Sequence, residues 1–568
     1  MERKKIKHVE CKFIIHKPGV YNREESTWSD DLHFVKEKIT YEDDSSESRL
    51  RTVRNFKRPF WITMEHYRKN KTKKEQELLC KVRAYESTET ELWKNVAGRL
   101  GGRYLGAKEK RQVVDSPYVY GCDVNSRVFM KKKYLQRYPD VFSKYDVASL
   151  DIETNIDTDE ITIGSISRPW EIFTVVVKDF VKKELDVEKR LNKIFQSHIP
   201  LESVKVQYLF VENEFELLKQ LISKAHEWKP DFLGVWNIDF EMTIFQKVCK
   251  KYNVEMKDIM SDPSIPPEDR YFHYKRGADS RVTASGVRMA FEPKDKWNVV
   301  YSSSSFYWID PMTVYNYIRA GGKLVPTGYG LDSILGHELG EGYKKLKFNH
   351  LTDDGLGTAE WHKLMSSKFP LEYIVYNQWD VLSMLVLDEK IKDLNTTLPV
   401  LSGINPFDIF NSNPKKIVNE LMFVCLENGS VLGTNPMIKE EYETLGLKGW
   451  IVTLQNKLLN SEYGRKCILE DEKIETNIRE CVSDSDQTAG YPSNTSAANV
   501  SKETTTREVV DIIGVPSEVF RIENINLTMG PVSQLQYCQT MLNFPTLKQI
   551  EDFIEKKIQM TPYDEMYT

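Results

Sequence analysis

A chain of 568 residues, 40% hydrophobic and 29% charged, is an ordinary soluble-type sequence, long enough for about four cores at the usual scale of roughly 150 residues each. The net charge of −5 carries no global sign of a nucleic-acid partner. There is no signal peptide and no uncharged apolar run of membrane-spanning length, so a cytosolic setting without membrane partners is expected. Cys11, Cys80, Cys122, Cys249, Cys425, Cys467, Cys481 and Cys538 are scattered without a CxxC pair, which argues against structural zinc and a disulfide framework.

Residues 28–49 are acidic and Ser-rich around Asp43-Asp44-Ser45-Ser46-Glu47 and read as a loop or mobile edge. Residues 51–74 are locally basic, with Arg51, Arg54, Lys57, Arg58, Arg68, Lys69, Lys71, Lys73 and Lys74 against Glu65, and with Phe56, Phe60, Trp61 and Tyr67 interleaved. Such a stretch either neutralises phosphates and stacks on bases, or forms a solvated face over a small aromatic core. The two readings stand level. Residues 110–145 alternate Pro, Gly and aromatic residues and carry Lys131-Lys132-Lys133.

From 147 to 240 the pattern changes. The β-rich runs Ile161–Ile166, Ile172–Val177 and Val206–Val211 accompany a helix-like stretch, Glu214–His226, which predicts an α/β domain with a mixed sheet. The strand-like Val147-Ala148-Ser149-Leu150 delivers Asp151-Ile152-Glu153, and side chains two apart on a strand share a face. Two carboxylates so placed repel unless a cation sits between them. Asn237-Ile238-Asp239-Phe240-Glu241 follows an apolar run from Phe232. Residues 367–393 read as a long buried helix in which Tyr376 and Asp380, four apart, share a face. A further helix is expected over Lys415–Glu427, and a different unit from about 440. Ala320-Gly321-Gly322-Lys323 lacks the first Gly and the Ser/Thr of a phosphate loop.

In order, D-x-E, then N-x-x-F-[DE] some 85 residues on, then Y-x-x-x-D another 140 or so later, resemble the three motifs of DEDD-type 3′–5′ exonucleases of the proofreading kind. The resemblance implies a ribonuclease H-like domain, a mixed sheet with flanking helices. In it Asp151, Glu153, Glu241 and Asp380 bind Mg²⁺, or Mn²⁺ in its place, and Tyr376 orients the attacking water. Two ions about 3.5–4 Å apart suit a few carboxylates, because Mg²⁺ takes oxygen ligands and keeps waters. The family has Asp where this chain has Glu241; Glu241 is preferred to Asp239 because it follows the aromatic, and editing could be weakened.

Asp486-Gln487-Thr488-Ala489-Gly490-Tyr491-Pro492-Ser493, followed five residues on by Asn499-Val500-Ser501-Lys502-Glu503-Thr504, resembles the first palm motif of family B DNA polymerases. The resemblance implies that Asp486 holds catalytic metal, that the backbone of Thr488, Ala489, Gly490 and Tyr491 cradles the incoming deoxynucleoside triphosphate, and that Tyr491 screens out the ribose 2′-OH. Ala489-Gly490 replaces the usual Ser-Leu. Arg54-Asn55-Phe56-Lys57-Arg58-Pro59-Phe60-Trp61 is similar to a segment of bacteriophage members, which implies the cytoplasm of a host cell.

The expected architecture is multidomain, α/β and α+β. It comprises a β-rich N-terminal domain (1–145), an exonuclease domain (146–394), a linker returning to the N-terminal domain (395–440) and a partial polymerase palm (441–568). The family's second acid pair, in Y-G-D-T-D-S, has no counterpart: Asp157-Thr158-Asp159 stands without the Tyr-Gly and reads as a hairpin loop. Asn460-Ser461-Glu462-Tyr463-Gly464 is like the fingers motif but precedes Asp486, the reverse of the family order, and 82 residues follow Asp486. The expectation is the N-terminal piece of a split polymerase, acting on a DNA primer-template with a second polymerase chain and replication accessory proteins. A stand-alone exonuclease and a non-catalytic replication scaffold are the alternatives.

Overall fold

The computed structural model describes residues 4–435, apart from 23, 25–26, 71–72, 103–106, 283–287, 320–327 and 353–355. They fall in one compact unit, Met1–Met437. Asp486, Thr488, Ala489, Gly490 and Tyr491, with the Asn460–Gly464 motif, lie outside the described residues.

The N-terminal region is β-rich. Strand β2 (Leu32–Tyr41) lies between β1 (Ile6–Lys17) and β3 (Ser46–Arg54), antiparallel to both. The expected loop over 28–49 is therefore mostly strand. Phe34, Val35 and Ile39 are buried, and the acids there have partners: Glu37 takes Arg49 and Arg51, and Asp31 takes His16 and Thr90. Charge balanced by cross-strand neighbours costs a sheet little. Only Glu42–Ser45 turns, with Asp44 at φ 58°.

The basic run is largely spoken for. β4 (Arg58–Thr63) pairs with β5 (Val82–Ser87) and β6 (Val119–Tyr120), which buries Phe60 and Trp61. Arg58 has no exposed surface, and its guanidinium donates to the carbonyls of Pro59, Gly121 and Cys122. Arg54 pairs with Asp30 and Asp269, and Lys74 with Glu77. Only part of the run, including Lys57 and Lys69, faces solvent free of such ties. The solvated-face reading fits better.

Residues 147–309 hold a six-stranded mixed sheet built from β7 (Val147–Thr154), β8 (Ile161–Arg168), β9 (Glu171–Val177), β10 (Lys205–Val211), β11 (Phe232–Gly234) and β12 (Tyr307–Ile309). Its order is β10-β9-β8-β7-β11-β12. β7, β8 and β9 run as antiparallel hairpins, while the pairs β9–β10, β7–β11 and β11–β12 are parallel. Asp157-Thr158-Asp159 lies in the β7–β8 turn, as read from the sequence. Helices α1 (Ser126–Arg137), α2 (Val187–His198), α3 (Glu214–Trp228), α4 (Asp239–Lys251), α5 (Pro311–Ile318), α6 (Thr358–Lys368), α7 (Pro370–Ile391) and α8 (Asn413–Glu427) complete the frame.

Both faces of β7 are covered, so its burial does not alternate. Ala148, Leu150 and Ile152 join Leu217, Leu221 and Met242 of α3 and α4 in one core. On the opposite face α2 and α7 pack with Ile163, Ile172 and Val176 in a second core. Gly164 permits the close approach of α3: a Cβ there would stand 2.5 Å from Leu221 Cδ1. Past 395 the chain returns to the N-terminal region, where Ser430–Leu432 pairs antiparallel with Gln76–Leu78.

Two buried lysines tie the N-terminal sheet to this frame. Lys36 donates to the carbonyls of Lys229 (2.9 Å) and Ser305 (2.7 Å), which flank β11 and β12, and burial holds its ammonium down to about 8. Lys12 lies 4.1 Å from the centre of the Tyr145 ring and donates to Ser143. Among the described residues all five cysteines are free.

Removing Arg58 strands buried carbonyls, whereas an exposed lysine is nearly neutral. Arg58→Ala is expected to lower stability by about 3 kcal/mol and Lys57→Ala by less than about 0.5, read by denaturant unfolding. Equal effects would contradict the burial assignment.

Candidate metal centre

Strand β7 and helix α7 form the centre. Along β7 the residues facing α7 are Ser149, Asp151 and Glu153. Their partners run backwards along the helix. Ser149 Oγ donates to the Val381 carbonyl (2.6 Å), Asp151 accepts from Asn377 Nδ2 (2.7 Å), and Glu153 accepts from the Tyr373 hydroxyl (2.5 Å). Two strand residues advance about 6.6 Å and four helical residues about 6 Å, so the two repeats stay in step. Asp380 belongs to the same helix face, three beyond Asn377.

The consequence is convergence. One carboxylate oxygen each of Asp151, Glu153 and Asp380 lies within 4.8 Å of the others. Asp380 is 2% exposed and its Oδ2 accepts from Lys345 Nζ at 2.6 Å; the same ammonium is 3.1 Å from the Tyr376 hydroxyl. The aromatic rings of Tyr373 and Tyr376 stack at 5.8 Å and 8°.

Glu241 stands outside the 4.8 Å group but close enough to feel it. It is 3% exposed, in the first turn of α4, and its Oε2 has no partner. That turn is set by Asp310, the N-cap of α5. Asp310 accepts from its own helix at Met312 N (3.0 Å) and from Asn237 N (3.1 Å) and Ile238 N (3.2 Å). Asn237 takes φ 61°, a left-handed conformation that Asn tolerates better than most residues. Asp239 is engaged elsewhere, accepting from the Tyr274 hydroxyl and Arg276 Nε, both at 2.7 Å. Of the two acids in this motif, only Glu241 is left with an unpaired buried oxygen.

Crowding governs the charges. Burial, then Asp380, pushes Asp151 up to about 7. Burial, then Asp151, raises Glu153 and Glu241 well above the ordinary carboxylate range. Burial also raises Asp380, with Lys345 opposing. Lys345 loses hydration, yet Asp380, Tyr376 and Asp151 hold its ammonium well above the usual lysine value. Among the described residues one cation therefore faces four acids. Asp380 Oδ1 and Glu241 Oε2 are buried without hydrogen-bond partners. An all-oxygen donor set with unfilled lone pairs and surplus negative charge fits a hard divalent cation.

The sequence motifs point to Asp151, Glu153, Glu241, Tyr376 and Asp380 but not to Lys345, Tyr373, Asn377, His362 or Asp310. Tyr373 and Asn377 carried a usable signal, because helix spacing puts them on the face of Tyr376 and Asp380. Lys345, His362 and Asp310 come from separate elements and had none.

No protein-family model matches the chain, and no curated protein sequence matches it significantly.

The repulsion has a measurable sign. With its folded value raised to about 7, Asp151 binds a proton more readily folded than unfolded, so its charge destabilises above that pH and the penalty fades as pH falls toward 4. Under chelator, Asp151→Asn is expected to raise the melting temperature at pH 8 by roughly 2 °C, and by less and less as pH falls from about 7 toward about 4. A variant less stable than the parent at pH 8 would contradict the crowding.

Proposed function

We propose that residues 146–394 are a 3′–5′ exonuclease that removes nucleotides from a DNA primer end. On this reading the chain is the N-terminal portion of a family B DNA polymerase. The observation that carries it is the convergence of Asp151, Glu153 and Asp380, from two motifs more than 200 positions apart, on one point.

Asp151, Glu153 and Asp380, with Glu241 beside them, would hold two Mg²⁺, or Mn²⁺ in their place. When bound, the ions lower the pKa of an attacking water and offset charge on the departing 3′ oxygen. Water oxygen bonds to the terminal phosphorus as the bond from phosphorus to the 3′ oxygen breaks. The water yields a proton, the 3′ oxygen gains one, and a 5′-mononucleotide leaves. The Tyr376 hydroxyl is set to orient that water, with Lys345 fixing its position. The same ammonium adds positive charge where a phosphate enters. The flanking cores keep bulk water off the inner side of the acids, which strengthens each electrostatic term.

The polymerase half of the reading rests on the motif from Asp486 to Thr504. Asp486 would hold metal, and Thr488, Ala489, Gly490 and Tyr491 would line the triphosphate. Synthesis would further need the family's second acid pair, for which residues 1–568 hold no counterpart. Glu241, outside the 4.8 Å group, favours a second reading as a non-catalytic replication scaffold.

A 3′-mismatched primer with Mg²⁺ separates these. The full chain should shorten the primer one nucleotide at a time, and Asp151→Ala with Glu153→Ala should slow this by at least about 10³-fold. An untouched primer, or equal digestion by the double variant, would remove the exonuclease. Primer extension gained when a polypeptide carrying that acid pair is supplied, and lost in Asp486→Ala, would support the polymerase half.

A further inference from the structure

The mechanism uses Tyr376, but another tyrosine touches an acid of the centre. Tyr373 lies three residues earlier on α7, and its hydroxyl is 2.5 Å from Glu153 Oε2. Behind it stands His362, whose Nδ1 is 2.8 Å from the same hydroxyl and 3.8 Å from Glu153 Oε2. His362 belongs to α6, which is separated from α7 by Phe369 alone, so a short helix break brings the imidazole over the tyrosine. Trp361 closes the group, edge-on to His362 at 5.0 Å and 5.0 Å from the Tyr376 ring. Its indole is held by the Lys347 carbonyl at 3.1 Å.

We propose that Tyr373 and His362 are positioning residues that lock the carboxylate of Glu153 in place for the cations. This rests on the exonuclease reading of the centre. The polarity follows from proton count. A tyrosine hydroxyl has one hydrogen, and a carboxylate that holds a cation is ionised and only accepts. Tyr373 therefore donates to Glu153 and must accept from His362, which places the imidazole hydrogen on Nδ1. Glu has one more rotatable bond than Asp, so Glu153 needs such a tether more than Asp151 or Asp380 does. Asp151 has Asn377, and Asp380 has Lys345. Tyr373 with His362 completes a set in which each of the three converging acids is oriented by its own donor. Metal ligands without such partners bind less well, typically by 10–100-fold.

The test uses the full chain and two readouts: Mn²⁺ binding by electron paramagnetic resonance, and release of the 3′ nucleotide from a primer. Tyr373→Phe keeps the ring stacked on Tyr376 and deletes only the hydroxyl. It should weaken Mn²⁺ binding about tenfold and lower kcat about tenfold, with KM for the primer within about twofold. His362→Ala should move both readouts the same way by about threefold, and His362→Asn, whose amide can stand in for Nδ1–H, should restore them. In the Tyr373→Phe background His362→Ala should add nothing, since its effect passes through the hydroxyl. The proposal is overturned if Tyr373→Phe matches the parent in both readouts, or if His362→Ala adds its full loss to Tyr373→Phe. It is equally overturned if Asn fails to restore position 362, a comparison that stands even should Tyr373→Phe not fold. Mn²⁺ binding undiminished by Glu153→Ala would instead remove the exonuclease reading, and this proposal with it.

Discussion

The structure depends on the register between one strand and one helix. β7 and α7 run past each other so that Ser149, Asp151 and Glu153 meet Val381, Asn377 and Tyr373 in turn. A slip of β7 by one residue would turn Leu150 and Ile152 toward the helix and bury the acids against α3. The apolar side chains of both cores resist that slip. The polar contacts then decide which rotamers the acids adopt. Hydrophobic packing sets the register, and the register brings the acids together.

That gathering has an electrostatic cost which the surroundings meet only in part. Among the described residues, four buried or half-buried carboxylates face a single ammonium, Lys345, and two of their oxygens have no hydrogen-bond partner. A site serving stability alone would replace such a group by apolar residues with little loss. Retained, it is better understood as a socket for positive charge. Lys345 offsets part of the repulsion while leaving Asp380 Oδ1 unpaired. Asp310 acts at longer range, holding the turn that launches α4 and so placing Glu241 at the edge of the centre.

Much of this was legible in the residues. The alternation of Asp151 and Glu153 and the spacing of Tyr376 and Asp380 each follow a regular period, and the structure brings these acids together. The runs at Ile161, Ile172 and Val206 became neighbouring strands for the same reason. The acidic segment 28–49 misled because charge alone suggested a loop, whereas β2 is held by partners distant in sequence, such as His16 and Arg51. The basic run from Arg51 left two readings level, and its pattern alone could not choose between them. Arg58 fits neither reading, because its guanidinium is buried in a pocket of carbonyls from Gly121 and Cys122. Lys345 and His362 were invisible because nothing local distinguishes a lysine or histidine that tertiary folding delivers to an acid.

The most direct measurement is anomalous diffraction from crystals of the chain soaked in Mn²⁺. A peak is expected among carboxylate oxygens of Asp151, Glu153 and Asp380, at ligand distances of about 2.0–2.3 Å, lost when Asp151 and Glu153 are both replaced by Ala. A crystal with no manganese at that point, or with these three side chains turned away from one another, would contradict it.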